Sequence, residues 1–200
     1  LMLKRSKDRK VTNHITPAGN VSIANTFGLP AGKNYSCPGA TDYCERICYA
    51  GKIEKVYPNV RSTLLHNWNL LKDATFNHTY RLLDDMIIAF EKECNKRGAR
   101  KDFRIHWDGD FFSDDYIIAW ATVIKHHSDT RFWVYTRVPF AAEYLHSLNL
   151  KNLSLYFSAD PDNMDIANSL LDKGIRIAYV DKNFAKGKVV LPKSIKCPEN

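Results

Sequence analysis

Long apolar runs are missing from this chain. Stretches such as Met86–Phe90 fall far short of the roughly 20 residues a membrane-spanning helix needs. No secretory leader pattern opens the sequence, because Leu1–Lys10 is basic and polar with no apolar stretch behind it. Repeats, low-complexity segments and long linkers are lacking too. These absences speak against membrane and secreted classes, and the expectation is a soluble, cytoplasmic protein. Its 200 residues, 44% of them hydrophobic, suit one packed domain. We place a basic N-terminal tail over 1–20, carrying Lys4, Arg5, Lys7, Arg9 and Lys10, and a single α/β domain over 21–200.

A disulfide framework is equally absent. The five cysteines are odd in number, and three of them fall within Cys37–Cys48. Such clustering points to metal. Acidic charge is in deficit: 29 Lys+Arg stand against 22 Asp+Glu, giving a formal net charge of +7. An anionic partner follows, such as a nucleotide-containing small molecule, a phosphate ester or nucleic acid, unless the excess is an ordinary basic surface.

Val21–Asn25 is a short β-prone segment, and from Thr26 to Pro58 no period of 2 or 3.6 is sustained. Structureless loops beyond ~15 residues are uncommon in compact domains and usually functional. Beyond it, element types alternate. Leu64, Trp68 and Leu71 stand at helical spacing, and a helix over 77–97 carries Tyr80, Leu83, Ile87, Phe90 and Cys94 on one stripe, closed by Gly98. Strands are expected at 103–107, 131–136, 153–158 and 175–180, with one helix in each gap: after Ser113, over 141–148, and from Pro161 to Gly174. A repeated βα unit with right-handed crossovers builds a parallel sheet, either closed as a barrel or open and doubly wound. Both architectures put function at the carboxyl ends of the strands.

The cysteines read C-x6-C-x3-C: Cys37, Cys44 and Cys48. Thiolates bind soft and borderline metals, and three in one loop can converge on one centre. A structural zinc site prefers a second cysteine pair, which is absent, so zinc would need Cys197 or a histidine to complete it. At the strand ends, Trp107-Asp108-Gly109-Asp110 makes an acidic, Gly-containing turn suited to holding an ammonium group. Thr136 with Arg137, then Ser158 with Asp160, and finally Asp181 follow successive strands, and Arg137 could bind a carboxylate bidentately. His106 alternates with its neighbours and either points inward to a site or serves as a hydrogen-bonded core residue.

Asn25-Thr26-Phe27-Gly28-Leu29-Pro30-Ala31-Gly32, Cys37-Pro38-Gly39-Ala40 with Cys44 and Cys48-Tyr49-Ala50, and Gly109-Asp110-Phe111-Phe112-Ser113 resemble a phage-encoded family, the gene-product-eighty-eight-like group of iron–sulfur, radical-SAM-like proteins. The resemblance runs from about Val21 to the C-terminus. It implies a partial (β/α)6 TIM-like barrel of parallel strands, with the long cysteine-bearing loop after the first strand. It also implies a [4Fe–4S] cluster on Cys37, Cys44 and Cys48, with Cys197 a candidate further ligand. S-adenosylmethionine would lie on Gly109, Asp110, Thr136, Arg137, Ser158 and Asp160, with Asp110 on its amine. The spacing departs from the superfamily's common C-x3-C-x2-C, and Ile47 stands where an aromatic is usual.

Two functions are therefore expected in competition. One is reductive cleavage of S-adenosylmethionine, fed by a host electron donor in the host cytoplasm and directed at an unknown substrate. The other is a non-catalytic iron–sulfur or zinc protein that binds nucleic acid or a host protein.

Overall fold

A computed structural model describes residues 1–8, 13–14, 20–180 and 195–196. Short strands come first: β1 (Arg5–Ser6), β2 (Asn13–His14), β3 (Asn20–Val21) and β4 (Thr26–Gly28). Four helices follow, α1 (Asp42–Ile47), α2 (Tyr49–Val56), α3 (Pro58–Leu71) and α4 (Phe76–Arg97). Then strands and helices alternate: β5 (Asp102–Asp108), α5 (Asp114–His126), β6 (Arg131–Thr136), α6 (Pro139–Ser147), β7 (Leu153–Ala159), α7 (Met164–Asp172), β8 (Ile177–Tyr179) and β9 (Ile195–Lys196).

The main sheet has seven strands in the order β1-β4-β5-β6-β7-β8-β9. β1 runs antiparallel to β4, and every later pair is parallel. The sheet is open, with no pairing between β1 and β9 among the described residues, so of the expected partial (β/α)6 TIM-like barrel the α/β class and the mostly parallel sheet are present and barrel closure is not. Parallel neighbours succeed one another without the reversal that defines a doubly wound sheet.

Alternation explains the layering. Phe103, Ile105, Phe132, Val134 and Leu155 share one core with α4 and α5, while Phe157 and Ile177 share a second with α7. Local signals set the helix ends. Ser113 caps α5 by accepting from the backbone of Tyr116, and Gly98 closes α4 in the left-handed region at φ 62°.

Four expectations change here. The basic tail over 1–20 is built into the fold at its start, since β1 pairs with β4, Leu3 is buried and Arg104 binds Asp8 at 2.7 Å. The first parallel strand is Thr26–Gly28 rather than 21–25. The aperiodic 26–58 segment contains two helices, α1 and α2. The helix expected from Pro161 begins at Met164, behind an Asn163 cap.

Candidate functional site

The carboxyl ends of β5, β6 and β7 open into a cavity of about 270 Å³, lined among others by Cys37, Cys44, Cys48, Asp108, Asp110 and Arg137. Each cysteine arrives by a different device. Cys37 sits in the loop after β4, where its backbone N–H donates to Gly32 at 3.2 Å. Cys44 lies on α1, whose N-cap Thr41 accepts from Cys44 N at 2.9 Å. Cys48 is itself the N-cap of α2, its sulfur accepting from Gly51 N at 3.3 Å.

Two glycines let this loop dock. A Cβ on Gly39 would stand 2.3 Å from the Arg137 carbonyl oxygen. Gly109 holds φ +83°, and a Cβ there would meet Ser36 Oγ at 2.4 Å. The cysteine loop thus packs through Gly39 on the end of β6, and the β5 turn packs through Gly109 on Leu29 and Ser36.

Asp110 is buried beneath the cavity. It accepts from Phe111 N at 2.8 Å, from Thr136 Oγ1 at 2.7 Å and from Arg137 N at 2.7 Å. Burial outweighs these bonds and pushes its pKa up to about 6. Its main visible task is to tie the β6 end to the β5 turn. Arg137 donates to Ser158 O at 3.3 Å and makes a close ion pair with Asp160, whose side chain is wholly buried. Asp160 also accepts from Thr41 Oγ1 at 2.7 Å, which ties the cysteine segment to the end of β7.

The thiols of Cys37, Cys44 and Cys48 are all pushed up, chiefly by burial, so they are neutral when nothing is bound. All three are free, as is the core residue Cys94. His106 is buried and hydrogen-bonded and also lines the cavity, so both alternatives hold in part. It adopts φ 59° where the β4–β5 register shifts, and its Nε2 pairs with Tyr116 Oη at 2.7 Å. Burial lowers its pKa to about 3, so the ring is neutral.

Of the residues singled out, Cys37, Cys44, Cys48, Gly109, Asp110, Thr136, Arg137 and Ser158 meet on one cavity, and Asp160 stands directly behind it. Cys197 and Asp181 lie outside the described residues. Reading the sequence missed Glu54 and counted Asp108 only as part of the acidic turn, with no role of its own. Asp108 is 3% exposed, its carboxyl oxygens lack ordinary hydrogen-bond partners, and burial beside the buried Glu54 raises its pKa well above normal. A second carboxylate two residues before Asp110 was the available signal.

One expectation is overturned. Among the described residues no group of three or more His, Cys, Asp or Glu side chains is placed to hold a metal ion, which leaves the metal-binding, iron–sulfur and radical-SAM descriptors without support there. Nor is any helix among them long and apolar enough to cross a membrane.

The fold and cavity define an α/β protein with a thiol- and carboxylate-lined pocket at the strand ends. The family model described as "Gene product 88" matches residues 1–200, and the chain belongs to that family. It is 59% identical to the Gene 88 protein of Mycobacterium phage L5 over 202 residues, covering 99% of this chain and 84% of the relative. The Gene 88 protein of Mycobacterium phage D29 is 59% identical over 201 residues, covering 98% and 84%. The family description and both names carry no iron–sulfur or radical-SAM character, so those descriptors do not come with membership. No solved structure matches the chain.

Proposed function

We propose that the cavity is the cofactor site of an enzyme that cleaves S-adenosylmethionine reductively beside a [4Fe–4S] cluster on Cys37, Cys44 and Cys48. The observation that carries this reading is the meeting, on one cavity, of three reduced thiols with the Asp110–Arg137 rim. Cysteine thiolates are the ligands that such a cluster takes, and three of them line this cavity. The successive parallel strands also suit a partial (β/α)6 barrel.

When bound, the two cofactors supply one-electron chemistry, with a host protein as electron donor. The chain's part is binding and orientation. Asp110 Oδ2 accepts one protein hydrogen bond and keeps capacity for an ammonium donor. Arg137, steadied by Asp160, offers its guanidinium to a carboxylate. Helix α1 carries Cys44, the cap of α2 is Cys48, and the loop after β4 brings Cys37 to the same cavity.

Anaerobic reconstitution with iron and sulfide, followed by calorimetry with S-adenosylmethionine, tests this. The wild type should take up ~4 Fe per chain with acid-labile sulfide. Asp110→Asn should keep the cluster and bind the cofactor roughly 10- to 150-fold more weakly. Stoichiometric zinc without sulfide, or no cofactor binding at millimolar concentration, would sink the reading.

A further inference from the structure

Cys37, Cys44 and Cys48 line two cavities. Besides the one at the strand ends, they border a second of about 290 Å³. Asp110, Thr136 and Arg137 belong to the first cavity alone, and Tyr35, Lys55 and Arg61 to the second alone. The cysteine segment therefore stands between the two. Lys55 and Arg61 are exposed, so the second cavity meets the surface where α2 joins α3.

That corner is apolar and positive. Val56 is 66% exposed and Tyr57 57%, and both lie in the chain between the cavity-lining Lys55 and Arg61. The acidic groups nearby already have cations. Lys33 pairs with Asp42 at 2.9 Å and with Glu45 at 3.7 Å, and Arg61 lies 3.9 Å from the buried Glu54. Lys52 and Lys55, both exposed on α2, pair with no acid among the described residues. Over 31–61 five Lys and Arg stand against three Asp and Glu, so an excess of positive charge remains.

From this arrangement we infer that the α2–α3 corner is the electron-receiving face of the same site, and that its partner is an acidic protein carrying a one-electron centre; this rests on the cluster reading above. With S-adenosylmethionine in the strand-end cavity, a reductant has to reach the cluster from another side. The second cavity is bordered by all three ligand residues. In the step itself the reduced carrier loses one electron and the cluster gains it, with no bond made or broken. Two uncovered apolar side chains beside two unpaired lysines suit a brief encounter. Redox complexes bury less than about 1,200 Å², and complementary charge sets their association rate more than their strength. A second copy of this chain fits less well, because a two-fold interface would set the same lysines against each other.

Stopped-flow mixing of the anaerobic, cluster-loaded chain with reduced flavodoxin, an acidic flavin carrier, tests the inference. Wild-type reduction should slow as salt rises. Lys52→Glu with Lys55→Glu should slow it roughly 10-fold or more. Val56→Ser with Tyr57→Ser should weaken flavodoxin binding in calorimetry roughly 5-fold or more. Photoreduced deazaflavin, a small reductant that needs no docking, should reduce both variants at the wild-type rate. Circular dichroism checks that both fold. Wild-type rates indifferent to salt, variants that match the wild type, or variants slowed equally with deazaflavin overturn the inference. So does equal binding of an acidic protein without a redox centre, or a wild-type dimer in sedimentation that Val56→Ser with Tyr57→Ser dissolves. The cofactor reading fails separately, because calorimetry of the apo chain with oxidised flavodoxin needs no cluster. Binding without any cluster on reconstitution sinks that reading and leaves the docking face standing. A cluster that deazaflavin reduces and flavodoxin does not sinks the face.

Discussion

Asp110 is pulled two ways, by burial that favours its proton and by three donors that favour its charge. Burial prevails, leaving the folded pKa near about 6 against 3.8 for the free group. Because the folded value is the higher one, the native state takes up a proton over that interval. The Asp110 contribution to stability is therefore complete below about 4 and is lost as pH rises through about 6. Two pKa units correspond to about 3 kcal/mol, as an order of magnitude. Asp110→Asn forfeits similar hydrogen bonds at every pH but cannot ionise. Chemical denaturation of the apo proteins between pH 4 and 7 should show the variant gaining about 3 kcal/mol on the wild type across that span. A constant difference would mean that Asp110 titrates normally.

Among the elements, α2 is unusual in taking its cap from a sulfur. Cys48 Sγ accepts from Gly51 N at 3.3 Å, the task that serine or threonine oxygen usually performs. Cys48→Ser should keep the cap and cost under ~1 kcal/mol, whereas Cys48→Ala should lose about 0.5–2 kcal/mol in thermal or denaturant unfolding of apo protein. Both should lose the reconstituted cluster. Equal stability of the two variants would remove the capping role. The same region shows where legibility ended. Strand 131–136 could be read to the residue because Phe132, Val134 and Thr136 alternate with more exposed neighbours. Helix α1 could not, because none of its residues is buried and it carries no apolar stripe. The cysteines and the 109–110 turn were readable from residue type and spacing. The bond from Thr41 to Asp160 spans 119 residues, and the Asp108–Glu54 encounter joins β5 to α2, so neither leaves a local pattern. The irregular backbone at His106 was not readable either, because it follows from the β4–β5 register shift.

For the molecule as a whole, the opening residues act as a clamp. Asp8 and Arg104 form an ion pair with side chains 8% and 5% exposed, which joins the N-terminal segment to the middle of the sheet. Removing one member of a buried pair leaves the other charge uncompensated, at ~3–5 kcal/mol. Asp8→Ala should therefore lower stability by about that amount in urea titrations. A loss under ~1 kcal/mol would show that solvent reaches Arg104 freely. Asp8→Ala with Arg104→Met should recover much of the loss, since neither charge then remains.

The two-residue length of β1 and of β9 has a bearing on how such an open sheet survives in a crowded cell. An unclosed parallel sheet ends in rows of backbone donors and acceptors that invite a neighbouring chain to add a strand. Among the described residues each flank ends in a ribbon two residues long, one of them antiparallel to the rest. So short a margin offers an incoming strand little ladder to extend, and lets the sheet stay unclosed without seeding fibres.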